Sequence, residues 1–146
     1  MDIARSFRDL KTYQLAREGA KVVFQLTASF SREERFSLTD QVRRSSRAVK
    51  ALLAEAWARR RYKAAFINKI DEALGEAFET QAWFDDALDC GYIDSAKHRE
   101  LDALYQQIGA KLSAMINRAD DFCKNPSDHN YLREEAVAYE AGDEEL

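Results

Sequence analysis

Residues 95–122 read SAKHRELDALYQQIGAKLSAMINRADDF, and within them Leu101, Tyr105, Ile108, Leu112, Met115, Ala119 and Phe122 recur at steps of four and three. An α-helix returns to the same side after such steps, so the stretch predicts a helix with one apolar seam. A seam with this repeat packs against other helices at shallow crossing angles, which is the geometry of a bundle. Asp94 or Ser95 opens the helix as its cap.

The same spacing extends upstream. From about Lys63 to Asp89, the residues Phe66, Ile70, Ala73, Ala77 and Phe84 share a face, flanked by Ile67, Leu74, Phe78 and Leu88, and Gly91 supplies the stop. A second helix carries the stripe Leu38, Val42, Ser45, Val49, Leu52 and Ala56, where the small Ser45 predicts close approach of a neighbouring helix. The first helix, over 7–28, aligns Phe7, Leu10, Tyr13, Ala16, Ala20, Val23 and Thr27. Between these two lies FSREERFS, residues 30–37, in which Ser31 and Glu34 have the spacing of a capping box and Ser37 offers another cap. The link WARRRYKAAF, residues 57–66, holds no glycine or proline and reads as either a tight bend or a nearly continuous helix.

These segments predict an all-α chain: an antiparallel up-and-down four-helix bundle over residues 1–123, followed by a mobile acidic tail over residues 124–146. With 146 residues the chain fits one domain. Only one proline, Pro126, and five glycines are present, so long helices meet few breakers. At 46% hydrophobic and 33% charged residues the chain should fold and stay in solution. No stretch is apolar enough for a membrane span and the start has no export signal, so a cytoplasmic location is expected. Cys90 and Cys123 lie in no metal-ligand spacing and are expected to be thiols.

The net charge of −4 hides an uneven distribution. Residues 134–146 contribute six acids and no Lys or Arg, which leaves the remainder at +2. Residues 41–63 hold eight Lys/Arg against Glu55 alone, whereas residues 64–90 hold seven acids against Lys69 alone. Neighbouring helices of opposite sign make a strong dipole.

Catalytic machinery is not suggested. His98 has Ser95 rather than a Glu three positions before it, so the Glu-x-x-His pattern of a di-iron bundle is not met, and His129 falls in the tail. No triad or glycine-rich phosphate loop is recognisable. Hence no catalytic, cofactor or metal residue is assigned, and no cofactor is expected. Arg43, Arg47, Lys50 and Arg61 share an azimuth roughly opposite the apolar stripe and, with Arg59, Arg60 and Lys63, form a candidate RNA-binding ridge. Glu72, Glu76, Glu79 and Trp83 lie away from the inferred core, where a tryptophan suggests a subunit interface. Glu55 flanks the core stripe and is expected to form a structural ion pair with Arg44 or with an arginine from another segment.

The chain also resembles a bacterial family of four-helix bundles related to the proteins encoded by intervening sequences within 23S rRNA genes, often labelled S23 ribosomal protein. The resemblance rests on Leu38, Thr39, Asp40, Gln41, Arg44, Ser45 and Ser46, then Ala54, Glu55, Ala56, and Phe66 to Ile70. It is tightest at Ala73, Leu74, Glu76, Ala77, Glu79, Thr80 and Trp83, followed by Gly91, Tyr92 and Ile93. Ser31 and Leu52 depart from the pattern, standing where relatives usually have Pro and Asn. The resemblance implies an up-and-down bundle, homopentamers, and no established catalysis. It also implies kinship with accessory proteins of diversity-generating retroelements, which bind RNA and a reverse transcriptase through basic surfaces.

Two roles are therefore expected, with a small enzyme or ligand carrier using the bundle interior as a further rival. The first is a non-enzymatic, homo-oligomeric, pentameric scaffold in which the basic second helix lies against the acidic third helix of a neighbour. The alternative is an RNA-binding accessory protein acting through the basic second helix, with RNA or another protein as partner.

Overall fold

A computed structural model describes residues 4–123 of the chain. Four long helices, α1 (Lys11–Thr27), α2 (Leu38–Ala58), α3 (Lys63–Asp89) and α4 (Ser95–Asn117), are followed by the short α5 (Ala119–Phe122). They run up and down in an antiparallel bundle: α2 packs on α3, α3 on α4 and α1 on α2, while a thinner α1–α4 contact closes the ring. The acidic segment 124–146, with Pro126 and His129, lies outside the described residues.

The α2–α3 pair is the tightest contact, and its small residues explain why. Ala56, Ala73 and Ala77 are fully buried, and the hydroxyls of Ser45 and Thr80 meet at 2.8 Å between the helices. Thr80 donates to the Glu76 carbonyl at 2.9 Å, which leaves its oxygen free to accept from Ser45. Ser45 thus marks a close approach, as its size predicts. The link between the two helices is a tight turn, in which the Tyr62 amide donates to the Arg59 carbonyl at 2.9 Å.

The seams deviate from the sequence reading at one position in α2. Leu53, not Leu52, is fully buried, because the buried face also includes Thr39 and Ser46 and is centred on their side of the apolar stripe. Both leucines keep the helical spacing, and only the buried hydroxyl residues reveal which one faces inward. The α4 seam holds from Leu101 to Ala119, although the helix breaks at Arg118 and Phe122 lies in α5, stacked on Phe66 with ring centroids 5.8 Å apart.

The helix ends show how the loops are held. The predicted first helix is in fact two pieces: Phe7–Asp9 form a 3-10 turn with a capping box between Ser6 and Asp9, and extended Leu10 separates it from α1. No capping box joins Ser31 and Glu34. Instead the Glu34 carboxylate accepts from the Leu38 amide at 3.1 Å and from the Ser37 hydroxyl at 2.8 Å, so it caps α2 across the turn. These bonds, the Ser37 one foremost, hold the Glu34 carboxyl below its usual pKa. The Tyr92 hydroxyl donates to the same carboxylate at 3.3 Å, and its ring stacks on Phe30 at 5.0 Å. The α1–α2 connection is thereby clasped to the α3–α4 connection. Gly91, with φ of 76°, ends α3 where the Tyr92 amide returns to the Ala87 carbonyl at 2.9 Å, an arrangement that requires the left-handed backbone glycine tolerates. Asp94 caps α4 by accepting from the Lys97 amide at 2.8 Å.

The thin α1–α4 contact depends on Gly19. A Cβ at this position would lie 2.8 Å from the Tyr105 hydroxyl and 3.1 Å from its ring. Tyr105 is fully buried, and burial holds its phenol far above the usual pKa. Ser46 lowers that pKa slightly, but its hydroxyl donates to the Arg43 carbonyl at 3.1 Å, and the phenol has no hydrogen bond of ordinary geometry among the described residues. Gly19→Ala would gain about 1 kcal/mol of helix propensity yet force overpacking that costs about 1–3 kcal/mol. It is expected to lower stability in urea denaturation. Tyr105→Phe removes a buried hydroxyl with no hydrogen bond and is expected to leave wild-type stability unchanged or raised, while partly rescuing Gly19→Ala in a double-mutant cycle.

Candidate nucleic-acid interface

The basic residues of α2 do not stand opposite the core. Arg43, Arg47 and Lys50 each follow a buried residue, Val42, Ser46 and Val49, by one position, so they project from the flank of α2 that faces α1. There they meet a polar stripe of α1. Gln14, Arg17, Glu18, Ala20, Lys21 and Phe24, with Arg47 and Lys50, line a concavity of about 540 Å³. Glu18 is the one acid in that lining.

Arg43 borders the cleft and is held in place. Its Nε donates to Thr27 Oγ1 at 2.7 Å, and its guanidinium carbon lies 4.7 Å from the centre of the Phe24 ring. Thr27 in turn donates to the Val23 carbonyl at 2.8 Å, so the arginine is fixed to the last turn of α1. Arg47 approaches the same ring at 5.8 Å. Phe24 itself, in the last turn of α1, is 50% exposed, unusual for a phenylalanine beside a packed helix pair. Arg17, Lys21, Arg43, Arg47 and Lys50 form no ion pair among the described residues.

The remaining basic candidates gather elsewhere. Arg59 and Arg61 are exposed in the α2–α3 turn, beyond the end of α2, so Arg61 does not share the helical azimuth of Arg43. Arg60 lies over Trp57 at 3.6 Å and donates through Nε to the Trp57 carbonyl at 2.9 Å. Lys63 is paired with Asp120 at 2.8 Å, and that hydrogen bond raises its pKa. Lys50 and Arg59 are separated by roughly 14 Å along the helix axis, so the turn makes a separate basic cluster.

The acidic side of α3 differs from its sequence reading in two respects. Trp83 is half-buried and packs against the core, and its indole Nε1 is buried with no hydrogen-bond partner among the described residues. Glu55 pairs with Lys69 at 3.5 Å rather than with Arg44, because eleven residues set Arg44 about 16 Å away along α2. Arg44 lies 4.0 Å from Asp40 on its own helix. Glu72 shares Lys69 at 3.3 Å, and Glu79 is exposed. Glu76 is half-buried. Burial raises its carboxyl pKa, the neighbouring Glu79 raises it further, and Arg44 partly offsets both.

The α1 side of the cleft, Gln14, Arg17, Glu18, Lys21 and Phe24, was not singled out by sequence reasoning. A signal existed: Gln14, Arg17, Lys21 and Phe24 recur at steps of three and four, one position after the buried Tyr13, Ala16, Ala20 and Val23. Both cysteines are free thiols, and His98 bonds Asp85 at 2.8 Å, joining α4 to α3. Among the described residues no helix is long and apolar enough to cross a membrane, and no group of three or more His, Cys, Asp or Glu could hold a metal ion.

The family model described as 23S rRNA-intervening sequence protein matches residues 8–114. The chain belongs to this family. A solved structure from the S23 ribosomal protein family of Bacteroides thetaiotaomicron, described as a protein with unknown function, is similar at 26% identity with a TM-score of 0.66. The likeness covers 73% of this chain and 95% of that one. No curated protein matches the chain. The span of the 23S rRNA-intervening sequence match takes in α1, α2, α3 and most of α4, and so includes every residue lining the cleft.

The raised pKa of Glu76 has a definite sign in stability. A carboxyl whose folded pKa lies above its unfolded value favours folding in its protonated form, so stability falls as pH rises through that window. Glu76→Gln is therefore expected to raise the melting temperature at pH 7, with the advantage shrinking toward zero as pH falls below about 4, where the carboxyl is protonated in both states. Thermal denaturation across pH checks this; an advantage that grew on acidification would refute the assignment.

Proposed function

We propose that this protein is a non-enzymatic RNA-binding protein whose α1–α2 cleft takes up the phosphate backbone. One observation carries the reading: Arg17, Lys21, Arg43, Arg47 and Lys50 converge around a concavity in which Glu18 is the sole acid. Like charges gathered without counter-ions repel one another, and an anion relieves that repulsion while releasing condensed counter-ions from the nucleic acid. The acids of α3 do not neutralise these cations within the chain, since the ion pair between α2 and α3 runs from Glu55 to Lys69.

The salt dependence of binding tests the proposal. Affinity for a labelled RNA should fall linearly with salt on logarithmic axes, with a slope of about −0.7 for each phosphate engaged on a single strand. Arg47→Ala with Lys50→Ala should weaken binding and make the slope shallower by roughly 1.4. Arg99→Ala, at an exposed position on α4, should change neither. Absence of binding at low salt would end the proposal.

A second reading, self-association, is favoured by the outer flank of α3. Phe78 is 59% exposed, and Ile67 and Leu74 lie half-buried along the same side. A partly exposed apolar strip, packed on the core through Ile67 and Leu74 and open at Phe78, beside the exposed acids Glu72 and Glu79 suits a contact with a second, more basic surface of the same chain. Native mass spectrometry should then report a closed homo-oligomer, five copies by family resemblance, and Phe78→Asp should yield a smaller species. A wild-type monomer at micromolar concentration would dispose of this reading.

A further inference from the structure

We propose that the α1–α2 cleft selects single-stranded RNA and that a nucleobase stacks on Phe24; this rests on the RNA-binding reading above and adds the state of the strand and the group that is read. The ring is half exposed, and the Arg43 guanidinium lies 4.7 Å from its centre. The bond from Arg43 Nε to Thr27 fixes that guanidinium on the ring, so the aromatic is held in a set position before any ligand arrives. A preset ring loses little side-chain freedom when a base stacks on it.

The cations around it occupy two helices. Arg17 and Lys21 project from α1 while Arg47 and Lys50 project from α2, and the ring stands among them. Aromatic rings interleaved with a cationic groove are how proteins hold single strands: the cations follow the backbone and the ring receives a base. Duplex RNA offers no free base face, because its bases are paired and stacked within the helix. A duplex would meet only the cations and leave Phe24 in water. The cleft also lies between adjacent helices whose axes are about 8–10 Å apart, which favours a single extended strand over a rigid double helix.

Glu18 separates this ligand from an acidic peptide. Its carboxylate lines the same concavity and repels peptide carboxylates and RNA phosphates alike, so the difference lies in hydrogen bonding. Toward RNA it can accept a hydrogen bond from any 2′-hydroxyl or from the exocyclic amino group of adenine, cytosine or guanine, donors that a Glu or Asp side chain does not carry.

The test uses the full chain and fluorescence anisotropy. Four labelled probes are compared at one salt concentration: an unstructured RNA of twelve nucleotides, the same strand annealed to its complement, an abasic strand of equal charge, and a polyglutamate of equal charge. The unstructured RNA should bind about tenfold or more tightly than the others, and Phe24→Ala should remove about that factor for the RNA alone. Phe24→Trp should retain it, and the salt slope should be the same in all three proteins, because no phosphate contact is lost. Equal affinity for the RNA and the abasic strand, or for the RNA and its duplex, would overturn stacking on Phe24 while leaving the RNA-binding proposal intact. Polyglutamate binding as tightly as the RNA would overturn both, as would the absence of binding to every probe at low salt. An unchanged RNA affinity in Phe24→Ala would also remove Phe24 from the site.

Discussion

The contact on which this bundle most depends is the close approach of α2 and α3 around Ser45 and Thr80. Their hydroxyls meet at 2.8 Å in a buried interface, a bond that only the observed rotation of the two helices allows, while each also reaches a carbonyl of its own helix, Val42 at 3.3 Å and Glu76 at 2.9 Å. The surrounding Ala56, Ala73 and Ala77 let the backbones come near enough for that bond to form. Once the rotation of α2 is set, so is the direction of every residue on it. Arg43, Arg47 and Lys50 then face α1, and Arg44 and Glu55 face solvent. The position of the cationic cleft follows from how another flank of α2 packs, where Ser45 meets Thr80 of α3.

Electrostatics alone would have arranged the chain otherwise. A segment of strongly positive residues is followed directly by a strongly negative one, and a hairpin between them could have paired the two. It does not, because exposed ion pairs contribute at most about 1 kcal/mol each whereas a buried Leu, Phe or Ile side chain contributes about 1.5–3 kcal/mol. Packing fixes the interface, and the charges are left where the helix period puts them. The α1–α2 flank consequently stays cationic, and the outer flank of α3 stays acidic.

Much of this was legible in the sequence. The limits of α3, the α4 seam from Leu101, the Gly91 stop and the meaning of Ser45 all follow from spacing and residue size, which are local properties. The candidate basic residues of α2 were also visible, but their direction was not. Reading only apolar residues centred the stripe near Leu52, while Thr39 and Ser46 move the true centre toward Leu53 and carry the basic flank round to α1. Phe24 was missed for a related reason: a site made by two helices is visible only when the polar stripe of each is followed beside its core stripe. Glu34 illustrates the limit on loops, since its carboxylate serves Leu38 and Tyr92, and the second partner lies far along the chain.

The thin closure between α1 and α4 bears on how the molecule assembles. All other long-helix contacts join neighbours in sequence across short connections, whereas Gly19 meets Tyr105 across most of the chain. Loop-closure entropy delays such a distant meeting relative to local hairpins. The α1–α4 contact is therefore expected to form after the hairpins between sequence neighbours. The same seam is where the ring opens with least loss of packing, which makes the α1 edge the natural place for subglobal opening and early hydrogen exchange.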